Sequence, residues 1–320
     1  KLWAKDANYR HRPIIVVDQI IAEPWSFDLH TGNEKQREHP LTGELAKWQF
    51  SRPGHHCGGL TATPNTLFFR SGFTSYYDLY SDSGVSHFSG QRMGCWINAI
   101  PGNGLLMVPE ASAGCVCQFS IAATVVMEPR TDVDTWKIAS LGNVGTPVQH
   151  LAINLGAPGD RRDSFGTLWL AYPRPKTVGR LEYTFDIKPK IASGGGVFVY
   201  NSESLDVAGA DTPWVISSGY RGLASCEVAL RGKDDKPAKY TVKLYFAQLD
   251  ECVPGEMLCD IKLQGALVAE GVDIAAEAGD DRNVLVREFT GVDVTQSLLL
   301  EIVSKGKILP QLSAIEIQKE

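Results

Sequence analysis

Two sets of residues in this 320-residue chain have side chains that could do chemistry. The first is Cys57, Cys95, Cys115 and Cys117, with His55 and His56 beside the first thiol. Thiolates and imidazoles are the ligands of a tetrahedral soft-metal site, which makes His55, His56 and Cys57 metal candidates. The spacing supports such a site poorly. Cys115 and Cys117 form a CxC pair, tighter than the C-x2-C knuckle, and the other two thiols are isolated. Two disulfides pinning neighbouring strands are the competing and favoured reading, and free buried thiols are a third. Cys252 and Cys259, separated by VPGEML, could staple a hairpin loop in the same way, which favours an extracytoplasmic compartment. Seven cysteines leave at least one outside any such pairing. No CxxCH occurs, so covalent haem attachment is not signalled, and no cofactor is clearly implied.

The second set is aromatic and acidic. Trp169 and Tyr172 follow a GDRRDSFG loop, and Trp214 and Tyr220 stand in later segments. Such rings could stack on the CH face of a sugar while Asp160 or Asp163 accepts its hydroxyls. In the competing reading several of these aromatics are core or loop anchors. Arg10, His11 and Arg12 could face an anion or be solvated. No nucleophile elbow, P-loop, dinucleotide fingerprint or HExxH is present, and no catalytic residue is assigned.

The elements that must position these groups read as strands. Short β-type runs at Thr66–Arg70, Ser75–Leu79, Leu105–Val108 and Ser120–Met127 alternate with Gly, Asp, Ser and Asn turns. Alternation is clear in YTVKLYF and in Leu298–Val303, the pattern of half-buried strands in a sandwich. The fold class is therefore all-β. A DLHTG turn at Asp28–Gly32 has a looser copy beginning at Asp78, and repetition at this period suggests propeller blades. Residues 131–147 carry fewer strand signals and read as a linker between 1–130 and 148–320. A net charge of -6 gives no support to nucleic-acid or anionic-membrane binding. No apolar run is long enough for a membrane helix, and KLWAKDANYRHR lacks the apolar core of a signal peptide.

The FDLHTG segment resembles the AxDxxTGxxxW repeat of pyrroloquinoline-quinone-type β-propellers. GCWINAIPGNGLLMVPEASAGCVC looks like the last blades of such propellers in large bacterial proteins, planctomycete ones especially. This resemblance covers roughly residues 1–130 and implies a partial propeller, with Trp3 docking on a neighbouring blade. The remaining blades would come from another chain or from a preceding part of the same precursor. From INLG and GDRRDSFGTLW through YTVKLYFAQL and CDIKLQG to SAIEI, residues 148–320 resemble malectin and malectin-like domains, which implies a carbohydrate-binding β-sandwich. In that family an Asp near the final strand contributes to sugar recognition, and GKILPQLSAIEI shows no acid at the matching place. The resulting expectation is the C-terminal part of an extracytoplasmic propeller protein, binding carbohydrate or a partner subunit. The alternative is a fragment of a quinone-, metal- or haem-dependent redox enzyme whose cofactor lies on other blades or domains.

Overall fold

The computed structural model describes residues 2–88, 90–110, 122–130, 135–142, 145, 147–174, 187–207, 212–279 and 283–320. Among these residues the chain is all-β, with two short helices, Pro213–Ile216 and Ile274–Ala278. No described helix is long and apolar enough to cross a membrane. Two compact units change over between Asn143 and Val144, with Pro40–Gly43 belonging to the second.

The first unit is made of small antiparallel sheets joined by side-chain-capped turns. Ile14–Val16, Gln19–Ala22 and Trp25–Asp28 form one sheet, and Ile100–Gly102, Leu105–Val108 and Val125–Met127 form another. A five-stranded sheet contains Thr66–Ser71, Phe73–Asp78 and Val85–Phe88. Its core is an aromatic cluster in which Trp48, Phe50, Phe69 and Tyr77 meet mostly edge-to-face, at centroid distances of 5.0 to 6.3 Å. The DLHTG turn is built as its residue types require: Asp28 Oδ1 accepts hydrogen bonds from the His30 amide and from both the amide and hydroxyl of Thr31. Gly32 sits at φ +74°, and a Cβ there would lie 2.7 Å from the Trp3 ring, so only glycine lets that ring cover the turn. Trp3 Nε1 completes the contact by donating to Leu29 O at 2.9 Å. The looser copy keeps the device, with Asp78 Oδ1 accepting from the Tyr80 amide at 2.8 Å.

These sheets are open and have two, three or five strands rather than a recurring four, so the described residues do not make the propeller ring that the repeats imply. Lys137–Ile138, within 131–147, pairs antiparallel with Val85–Ser86 as an edge strand. Gly84, at φ +127°, permits the approach, because a Cβ there would come within 2.7 Å of the Ile138 carbonyl.

The second unit holds an eleven-stranded sheet that divides into two layers. One layer runs, in spatial order, Arg161–Arg162, Leu168–Tyr172, His150–Leu155, Gln311–Lys319, Ala238–Gln248 and Asn283–Val294. The other runs Lys190–Val199, Ser218–Ala229, Ser297–Ser304, Leu258–Leu263 and Ala266–Asp273. They are continuous at one corner, where Tyr220–Arg221 pairs with Gln311–Leu312. In the first layer alternate residues Leu151, Ile153, Leu170, Val242, Leu244, Phe246, Ile315 and Ile317 are fully buried, which is the inward face of a sandwich. Burying each such side chain contributes about 1.5–3 kcal/mol relative to exposure. The opposite, outward face carries the intervening residues and, on them, the candidate site.

Candidate functional site

Strand register alone brings the site together. Trp169, Ala152, Glu316, Lys243 and Glu288 are mutual cross-strand partners across five adjacent strands. Since side chains alternate with a period of two, all five project from the same, outward face. The neighbouring row on that face includes Ala314, Tyr245 and Val286. The small residues Ala152 and Ala314 leave a trough, and the Pro213–Ile216 turn packs over one end, with Val215 and Ile216 in a satellite apolar cluster containing Trp169.

The result is a cleft of about 400 Å³ whose lining includes Asp163, Phe165, Trp169, Lys243, Tyr245 and Glu316. Asp163 shapes its mouth. One carboxylate oxygen accepts from the amides of Phe165 at 3.0 Å and Thr167 at 2.8 Å, and the other accepts from Trp169 Nε1 at 2.9 Å. This turn, closed through Gly166 at φ +93°, holds the Phe165 side chain outward and 77% exposed. Trp169 is only 3% exposed and stands edge-on to Tyr245 at 5.3 Å, so it supports the wall rather than offering a face.

Glu316 is the polar centre. His150 Nε2 lies 2.9 Å from one of its oxygens, and the Tyr245 hydroxyl donates to the other at 2.8 Å. Burial by itself would raise this carboxyl, but hydrogen bonds from His150 and Tyr245 and the charge of Lys243 hold it below its ordinary value. The same contacts act oppositely on Tyr245, where burial first and the Glu316 charge second push the phenol well up and keep it a neutral donor. Lys243 Nζ stands 3.9 Å from both Glu288 and Glu316.

Of the six residues expected to bind sugar, Asp163 and Trp169 line this cleft. Trp214 stands behind Trp169 at 6.5 Å, covered by the Arg161 guanidinium at 5.2 Å. Asp160 is fully buried, accepts from the Ala171 amide at 2.9 Å and pairs with Arg174. The Tyr172 hydroxyl donates to Ile187 O at 2.6 Å, and Tyr220 is buried at the corner between the two layers. These three are placed for holding loops and strands. The final strand, which has no acid at the place of the family's Asp, carries Glu316 opposite Lys243. Tyr245, Lys243 and Glu288 were also missed. Their alternation is readable in YTVKLYF, but their convergence depends on register.

The cysteine and histidine set is arranged differently. His56 Nδ1 bonds Gly54 O at 3.0 Å and meets His11 edge-on at 5.4 Å, while His55 is exposed and its carbonyl accepts from the Gly72 amide. Burial, then the Arg52 charge among other neighbours, lowers the His11 pKa; burial is also the main cause lowering His56. Cys57 and Cys95 are not bridged, and Cys95 Sγ lies 3.0 Å from Arg70 Nη1. Cys115 and Cys117 lie outside the described residues. Cys252 and Cys259 do not form the expected staple either: alternation turns Cys259 into the core, fully buried, while Cys252 lies in the preceding loop. Among the described residues no three His, Cys, Asp or Glu side chains are grouped to hold a metal ion.

Residues 234–318 match the Malectin domain family, and half of the cleft's lining falls within that match. No curated protein matches the chain. Among solved structures, the ANXUR2 extracellular domain from Arabidopsis thaliana is similar with a TM-score of 0.40 and 12% identity, over 54% of this chain and 49% of that one. A Bacteroides uniformis β-glucuronidase is similar with a TM-score of 0.41 and 11% identity, over 83% of this chain and 28% of that one. The chain thus spans about half of the first and little more than a quarter of the second. Likenesses at these scores assign no activity and no residue role.

Proposed function

We propose that the second unit is a carbohydrate-binding module and that the chain is a binding or scaffolding part of a larger extracytoplasmic protein. The observation that carries this reading is the make-up of the cleft. An exposed aromatic ring, Phe165, stands over a trough whose polar groups are fixed by Asp163, Glu316, Tyr245 and His150 before any ligand arrives. A pyranose needs those two things, an apolar surface for its CH face and preplaced acceptors and donors for its hydroxyls. The match to the Malectin domain family over 234–318 supports the same class of ligand. The outward placement of the site, on rigid strands with one loop at its mouth, suits binding.

Titration calorimetry of the full chain with a panel of neutral, amino and acidic oligosaccharides tests this. At least one should bind, and Phe165→Ala should weaken it by about two- to tenfold, the worth of one aromatic contact. Failure of every oligosaccharide to bind the unsubstituted chain would refute the assignment.

A further inference from the structure

We infer that the cleft is selective for charge, preferring glycans with unacetylated amino groups to neutral ones and rejecting uronic-acid glycans; this deepens, and rests on, the carbohydrate reading above. Three carboxylates, from Asp163, Glu288 and Glu316, line the cavity against the single ammonium of Lys243. Asp163 and Glu316 are held by hydrogen bonds from neighbouring protein groups, which leaves Glu288 as the carboxylate most open to a ligand. Lys243 Nζ, at 3.9 Å from each glutamate, is beyond hydrogen-bond reach of both. Among the described residues the Glu288 carboxylate makes no hydrogen bond, and its side chain is 53% exposed, so both its oxygens can accept from a ligand. The His150 ring, 2.9 Å from Glu316, also faces this cluster, whereas Arg161 covers Trp214 and lies 3.6 Å from Glu203.

An ammonium on a sugar carbon can reach Glu288 and share the field of Glu316 while the ring rests against Phe165. A uronate would bring a fourth carboxylate into the same space, and like-charge juxtaposition is an effective means of exclusion. Glu316 strengthens the discrimination, because its hydrogen bonds keep it ionised at mildly acidic pH, where a sugar amine is protonated.

The test compares tetraglucosamine, its fully N-acetylated counterpart and tetragalacturonate by calorimetry at mildly acidic pH, at low and high salt. The expected order is tetraglucosamine first, the acetylated form weaker by about threefold or more, and tetragalacturonate without measurable binding, with added salt eroding the first difference. Glu288→Gln, a change on an exposed strand position, should bring tetraglucosamine down to the acetylated level, and an unfolding midpoint equal to that of the unsubstituted chain shows that the variant is folded. Equal binding of the amino and acetylated forms, or binding of the galacturonate, overturns the inference and leaves the carbohydrate assignment standing. Retained amine preference in Glu288→Gln overturns the role given to that residue. If none of the three binds, nor any other oligosaccharide, both readings fall.

Discussion

The two units handle polar side chains in opposite ways. In the first, groups adjacent in sequence are absorbed by their own neighbourhood: Asp28 caps its own turn, His56 bonds the Gly54 carbonyl, and Thr63 and Asn65 bond one another at 2.8 Å. In the second, groups far apart in sequence are aligned by strand register: Asp163, Lys243, Glu288 and Glu316 come from four separate segments and meet on one face. Short strands linked by tight turns offer the backbone many unsatisfied groups, and the nearest side chains are used to satisfy them. Long paired strands satisfy their own backbone, and every second side chain is left available to the solvent face. A run such as HHC is therefore a weaker guide to a site than an acid within an alternating run.

The comparison is broken most sharply in the first unit, at its buried ion pair. Arg52 Nε donates to Glu23 Oε2 at 2.9 Å, with Nη2 at 2.7 Å from the same oxygen, and both side chains are 1% exposed or less. Arg52 also donates to Gly58 O at 3.1 Å, so it ties the RPGHHC segment to the Glu23 turn. Replacing Glu23 by Gln leaves a guanidinium buried without its counter-charge. Urea unfolding should show a loss of about 3–5 kcal/mol for the transition that involves this unit. Oligosaccharide binding by the second unit should persist at temperatures where the variant's first unit is folded. An unchanged midpoint would mean that the pair contributes little to holding the unit.

The second unit is probed at Glu316. Tyr245→Phe removes the donor to Oε2 and should cost about 1.5–3 kcal/mol, the range for a hydrogen bond to a charged acceptor. The pH dependence follows from the sign of the shift. The folded carboxyl lies below the ordinary 4.5 of a free glutamate, so the native state binds the proton less readily than the unfolded chain. Its stabilisation is complete above that ordinary value and is lost as the pH falls through the lower, folded value. Unfolding midpoints measured from pH 7 downward should decline in that acidic window. Glu316→Gln should flatten that part of the decline, and an equally steep decline in Glu316→Gln would assign it to other carboxylates. The thiols give a complementary check: burial pushes Cys226 and Cys259 up to about 12, so both should resist alkylation at pH 8 until the unit unfolds.

The all-β class, the turn at Asp28 and the strands around YTVKLYF and SAIEI were legible because each is a local pattern. A period of two, an Asp four residues before a glycine and a cluster of β-branched residues need no knowledge of partners. The site was legible only in its loop half. GDRRDSFGTLW announces Asp163 and Trp169, but whether Trp169 presents a face or supports a wall depends on Tyr245, which lies on a different strand. Asp160 and Asp163, three positions apart, were read alike and have unlike roles. One is buried against Arg174 and the Ala171 amide, and the other frames the cleft. Glu316 was overlooked because an alternating strand shows which residues point outward but not which residues of other strands they meet. That information lies in pairings such as Lys243 with Glu316, which no local window contains.

The smallest expected effect separates binding from folding most cleanly. Phe165 is 77% exposed, and the turn that carries it is held by the carboxylate of Asp163 through backbone amides, not by the ring itself. Truncation to alanine therefore removes almost no buried surface, and the unfolding free energy should stay within about 0.5 kcal/mol of the unsubstituted chain. The affinity loss expected for an oligosaccharide would then stand on an intact scaffold. A large loss of stability would instead show that the ring packs against the sheet in solution, and the cleft would lose the exposed aromatic surface at its mouth.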